Sequence, residues 1–134
     1  MRKLLLAAFA AASLAGPVLA QGSAVPGSAG GGHGHADQGP HGGRMQDVVG
    51  VHAELLVIER KVTIHLYDEG SKPVPAAGFS GSLLIGTGQA REVVQLAPGE
   101  GNSLVGEART APARGAAVTM QIKNPAGRSA QARF

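Results

Sequence analysis

The chain has five histidines and no cysteine, and that balance limits the chemistry open to it. Four of the five, His33, His35, His41 and His52, fall in or just before one stretch, from Pro40-His41-Gly42-Gly43 to Val51-His52-Ala53-Glu54. Neutral imidazole suits Zn, Cu and Ni. His33-Gly34-His35 followed by His41 is a short His-rich tract, a compositional signal for metal binding, and its glycines would let the backbone wrap an ion. Met45 would add a soft thioether for Cu(I). The same composition also fits a polar low-complexity linker in which histidine is incidental, so both readings stand. An amine-anchored copper site is unsupported, because Gln21-Gly22-Ser23 carries no His at its third position. Without cysteine there is neither a thiolate ligand nor a disulfide framework.

The elements that would position these residues follow from periodicity. Residues 21 to 43 hold nine glycines among Ala, Ser, Pro and His, too little apolar surface to offset an ordering entropy of about 1–2 kcal/mol per residue. The expectation is a disordered Gly/His-rich lead over 21–46. From Asp47 the pattern changes to short apolar runs separated by turn residues. Strands are expected at Val51–Ile58, Lys61–Asp68, Phe79–Ile85, Arg91–Leu96, Asn102–Arg109, Ala116–Lys123 and Ser129–Phe134, with Gly- and Pro-containing breaks between them. No segment keeps a 3.6-residue period. Seven short strands at near-regular spacing predict an all-β domain over 47–134, an antiparallel sandwich. Val, Leu and Ile must fill its core because aromatics are scarce, with Phe79 and Phe134 added.

The first hairpin has a predictable register. A two-residue Glu59-Arg60 turn, or a four-residue Ile58–Lys61 one, sets Val57 against Val62, Leu55 against Ile64 and Ala53 against Leu66. The apolar set then shares one side. The opposite side carries His52 across from Tyr67 and Glu54 across from His65, with opposed Cβ atoms about 5 Å apart. Two imidazoles and a carboxylate at that separation suit Zn²⁺ or Cu²⁺, with His41 or water completing the shell. The alternative is plain sheet chemistry: a cross-strand Glu54–His65 ion pair and His52 stacked on Tyr67. Metal binding would need deprotonated imidazoles and weaken below about pH 6.

The start of the chain addresses compartment. Arg2-Lys3 is a basic n-region, Leu4 to Leu14 an apolar run of 11 residues, and Val18-Leu19-Ala20 supplies small residues before a cut after Ala20. This is the pattern of a secretory signal peptide over 1–20, and the run is short of the roughly 20 residues that span a bilayer. The expectation is an exported, periplasmic protein beginning at Gln21, with no membrane span in the mature form. The formal charge is +3, but without Arg2 and Lys3 ten basic residues face nine acidic ones. Lys and Arg are scattered and few aromatics remain for base stacking, which argues against nucleic acid.

The order Pro40-His41-Gly42-Gly43, then Val51-His52-Ala53-Glu54-Leu55-Leu56, then Leu66-Tyr67-Asp68-x-x-Ser71-Lys72-Pro73-Val74 resembles a group of small exported proteobacterial proteins. It is similar too to the amino-terminal periplasmic domain of some membrane-fusion subunits of heavy-metal efflux pumps. The resemblance covers about residues 40 to 110, including Leu96-x-Pro98-x-x-Gly101-Asn102-x-Leu104. It implies an immunoglobulin-like β-sandwich and an association with metal handling, with a metal-efflux component or another envelope protein as partner. His41, His52 and Glu54 occupy matching positions, and His65 lies outside the pattern. Val51 stands where an aromatic is usual, and Glu59-Arg60-Lys61 replaces the usual hairpin glycine. No helical hairpin, lipoyl-like domain or barrel of a pump subunit is present, so the resemblance implies a free-standing domain.

Catalysis has little to build on. Ser80, Ser82 and Ser103 lack a G-x-S-x-G setting, and Gly86-Thr87-Gly88 is too short for a dinucleotide loop. Asp68 and Glu69 read as solvated turn residues. An enzyme is not expected, nor an organic cofactor. The leading expectation is an exported β-sandwich that binds Cu, Zn or Ni through His41, His52 and Glu54, with His33, His35 and His65 as auxiliaries. A metal-free envelope interaction module is the competing one.

Overall fold

The structure, a computed structural model, describes residues 38–134. The expected signal peptide, His33, His35 and most of the Gly/His-rich lead lie outside the described residues.

The described chain is all-β apart from one short 3-10 turn at Gly88–Ala90. Eight antiparallel strands follow: β1 (Arg44–Val48), β2 (Val51–Ile58), β3 (Lys61–Tyr67), β4 (Ser80–Ile85), β5 (Glu92–Pro98), β6 (Ser103–Glu107), β7 (Val118–Lys123) and β8 (Ser129–Arg133). They form one nearly closed sheet in the order β1-β2-β3-β6-β5-β4-β7-β8, and its two end strands, β1 and β8, come into contact. β5 belongs to two ladders: Glu92–Leu96 pair with β4, whereas Ala97 and Pro98 pair with β6. Proline ends that strand, as expected of a residue that cannot donate to a ladder.

All seven expected strands are present, their ends within a few residues of expectation. The β2–β3 register is the expected one, with Val57 opposite Val62, Leu55 opposite Ile64, Glu54 opposite His65 and His52 opposite Tyr67. Ile58 pairs with Lys61, so the loop is the two-residue Glu59–Arg60. Glu59 takes the left-handed conformation this loop needs, at φ 55°.

One strand was not expected. β1 begins at Arg44, inside the segment read as lead, and a turn at residues 39–42 precedes it, closed by Gly42 N–H to Gly39 O at 2.9 Å. The body therefore starts before Asp47. Arg44-Met45-Gln46-Asp47-Val48 buries only Val48, so its strand conformation comes from pairing with β2 rather than from its own pattern. A Val49–Gly50 turn with φ of 50° and 83° joins the two strands. Positive φ at both positions marks the primed turn that matches strand twist.

Ile64, Leu66, Leu83, Leu104, Met120 and Ile122 are fully buried at the centre of the core. Each contributes on the order of 1.5–3 kcal/mol by leaving water. Phe79 is buried as expected, whereas Phe134 is only partly covered. The Ala53, Leu55, Ile64 and Leu66 side of the hairpin faces this core. The opposite side of β2 and β3 carries the histidines.

Candidate functional site

Glu54 is the centre of that second side. A charged residue facing away from the core would ordinarily be solvated, yet Glu54 is 0% exposed. The turn before β1 covers it. The backbone N–H groups of His41 and Gly43 donate to Glu54 Oε1 at 2.7 and 2.9 Å. The Tyr67 hydroxyl donates to Oε2 at 3.0 Å, and His41 Nδ1 lies 2.9 Å from the same oxygen. Both carboxylate oxygens are thus filled by protein donors, as a buried charge requires. Burial alone would raise the Glu54 carboxyl. The bonds from the His41 side chain, from the Gly43 and His41 amides and from Tyr67 together outweigh it and hold the carboxyl below its ordinary range.

The glycines of the turn make this cover possible. A β-carbon on Gly39 would lie 2.6 Å from Glu54 Oε1, and one on Gly43 would lie 2.8 Å from Glu54 Cγ. Real β-carbons do not come that close. Gly39 and Gly43 are therefore the lid over the carboxylate, not spacer residues.

His41 bonds the carboxylate on one edge and stacks on His65 on its face, with ring centroids 4.2 Å apart and planes 17° from parallel. An ionised Oε2 beside Nδ1 requires the proton on Nδ1. The neutral ring then carries its lone pair on Nε2, and 48% of the side chain is exposed. A carboxylate on one imidazole nitrogen that frees the other for an ion is the usual outer-shell arrangement of metal-ligating histidine.

His65 Nδ1 is buried and, among the described residues, has no hydrogen-bond partner. Burial pushes the His65 imidazole below its ordinary range and the repulsion it would meet from a protonated His41 adds to this, while Asn102 and Glu54 act in the other direction. Asn102 Nδ2 itself donates to Leu66 O at 2.9 Å. Burial, followed by the bond to Glu54 and its negative charge, pushes the Tyr67 hydroxyl up to about 12 against the opposing influence of Asn102.

No family model matches the chain, and no curated protein or solved structure matches it either.

His52 lies in a separate arrangement. Its ring is buried, its Nδ1 bonds the Asp47 carboxylate, and its Nε2 is 3.9 Å from Glu69 Oε2. Asp47 stands directly across β1 from His52, and Glu69 comes from the loop after β3. The structure therefore brings His41, Glu54, His65 and Tyr67 together, and ties His52 to Asp47 and Glu69. Among the described residues no group of three or more His, Asp or Glu side chains is arranged to hold an ion. The cross-strand ion pair considered for Glu54 and His65 is replaced by the Glu54–His41 contact. Met45 sits across from Glu54 on β1, half-buried.

Sequence reasoning placed Tyr67 on this side only as a neighbour of His52 and not as a partner of Glu54, and it missed Asp47, Glu69, Gly39 and Gly43 as parts of these clusters. The usable signal was the pair of glycines flanking Pro40-His41-Gly42, two small residues bracketing a turn next to a strand with an acidic residue.

Proposed function

We propose that this chain is an exported, periplasmic protein that captures a transition metal ion, Cu, Zn or Ni, through imidazole nitrogen, in association with heavy-metal efflux. The observation that carries the reading is the 2.9 Å contact between His41 Nδ1 and the buried Glu54 carboxylate, which orients the ring and leaves Nε2 for an ion. The donor set fits only in part. Glu54 has no oxygen to spare, so its role is positioning, and His41 is the ligand. His33 and His35, eight and six residues upstream in sequence, are the proposed partners. His52, held by Asp47, supplies a second oriented imidazole. When bound, the ion itself would be the cargo. The chain contributes a pre-oriented nitrogen and the tautomer that keeps its lone pair available.

The connectivity supports the finer fold reading, an immunoglobulin-like sandwich. Strands β2 to β8, taken as A to G, pair as A-B-E-D and C-F-G, the constant-type arrangement, with the fourth strand also joined to the third. β1 would be an addition to that plan. The basic, apolar and small-residue pattern before Gln21 supports export. A metal-free envelope module is the second reading, favoured by the complete satisfaction of Glu54 by protein donors.

The deciding experiment is calorimetric titration of the chain from Gln21 with Cu²⁺, Zn²⁺ and Ni²⁺, alongside His41→Ala, Glu54→Gln and a His33→Ala/His35→Ala variant. Saturable micromolar binding that His41→Ala abolishes and Glu54→Gln weakens is expected. Absence of saturable binding for all three ions, or binding unchanged in His41→Ala, would reject the reading.

A further inference from the structure

β1 and β2 are unequal in length, and the difference leaves an opening. β1 stops at Arg44, opposite Leu55, while β2 continues through Leu56 and Val57 to Ile58. A two-residue hairpin closes on a pair that exchanges both backbone bonds, and such pairs recur at every second position. Counted from Val48–Val51, they fall at Gln46–Ala53 and Arg44–Leu55. The next position in the series is Val57, whose N–H and C=O face the side that β1 no longer covers. Val57 and Ile58 are also 38% and 67% exposed.

A groove lies against this open end. Leu56, Val57 and Glu59 line one wall, Ala111, Pro112 and Ala113 of the β6–β7 connection line the other, and Arg44 and Arg114 stand along it. Neither guanidinium forms an ion pair with another described residue. The groove therefore offers one open backbone position, apolar walls and two unmatched cations against the single acid Glu59.

We propose that this groove receives an extended, acidic segment of a partner protein, which adds to the end of β2 as a short strand. The backbone of the segment pairs with Val57, an apolar side chain covers the Val57–Pro112 walls, and carboxylates meet Arg44 and Arg114. Strand addition draws its affinity from main-chain bonds and its specificity from side-chain contacts, and guanidinium matches carboxylate in a two-pronged geometry. A second copy of this chain is a poor occupant. A two-fold pairing about Val57 would bring the same two guanidinium groups of each copy to one seam.

The test uses the ¹⁵N-labelled chain from Gln21 and two synthetic heptapeptides, one alternating glutamate with valine and one alternating lysine with valine. The glutamate peptide is expected to shift the amide signals of residues 55–58 and 111–116, and the lysine peptide to leave them in place. Arg44→Ala/Arg114→Ala is expected to weaken binding about tenfold, as two partly exposed ion pairs allow. Arg44→Glu/Arg114→Glu is expected to transfer the preference to the lysine peptide, with the circular dichroism of the fold unchanged. Equal binding of both peptides, shifts confined to other surfaces, or no shifts at millimolar peptide would overturn the proposal. So would a concentration-dependent dimer closed through residues 55–58, or a groove that takes an oligonucleotide in preference to the acidic peptide.

Discussion

Glu54→Gln is the substitution that tests the site most directly. The glutamine carbonyl can still accept from the His41 and Gly43 amides, which lie 2.7 and 2.9 Å from Oε1. Its NH₂ then replaces Oε2 and meets two donors, the Tyr67 hydroxyl at 3.0 Å and His41 Nδ1–H at 2.9 Å. Bonds to a charged group contribute about 1.5–3 kcal/mol each, against about 1 for neutral pairs. Turning the hydroxyl and moving the His41 proton to Nε2 recovers neutral bonds at that end. The net loss should be about 2–3 kcal/mol, read as a lower urea midpoint at unchanged slope. Glu54→Ala recovers nothing and should lose about 3–5 kcal/mol, the range for removing one member of a buried charged group. In Glu54→Gln the ¹⁵N shifts of His41 should also report the proton on Nε2 rather than Nδ1. Stability within about 0.5 kcal/mol of the parent, with unchanged His41 shifts, would refute the argument, since differences that small are typical of uninvolved surface positions.

Three further outcomes follow from the same geometry. Stability should fall with acid in two stages. Both folded values are lowered, so the unfolded chain takes up protons first: below about 6.5 for His65 and below about 4.5 for Glu54. The stabilisation is complete above those values and is lost as pH falls, and urea midpoints between pH 8 and 3 should show the lower stage flattened in Glu54→Gln. Gly43→Ala should destabilise by about 1–3 kcal/mol, the usual penalty of overpacking, and should accelerate hydrogen exchange at the His41 amide; wild-type exchange there would disprove the close approach. Glu59→Gly should raise the thermal midpoint, because a side-chain-bearing residue at φ 55° carries roughly 1–2 kcal/mol of strain, partly offset by the greater freedom of glycine in the unfolded chain.

The alternation of Val62, Ile64 and Leu66 was enough to fix the β2–β3 register, because a slip of one residue would send all three to the wrong side. β1 was illegible for the opposite reason. With one buried apolar residue in five, it has no period of its own and exists through its partner. The site was half legible. Imidazoles and a carboxylate were placed on one side of the hairpin, and they are there. The ligand set read from that side was not assembled, because Glu54 is enclosed by the turn that holds His41, and His52 turns to Asp47. Composition could not foresee this, since a glycine-rich segment that stays loose and one that must approach a carboxylate closely look alike in sequence.

The pairing order also constrains when the domain can form. β4 waits for β7, with Ser80 opposite Lys123, and the contact between β1 and β8 joins the first strand to the last. Sheets built on such distant partners form slowly, because a long loop must close before its contacts repay the lost entropy. While the last strands are still being synthesised, the earlier ones lack the neighbours that complete the sheet. The sheet should therefore close only after the last strands have been made, rather than strand by strand during synthesis.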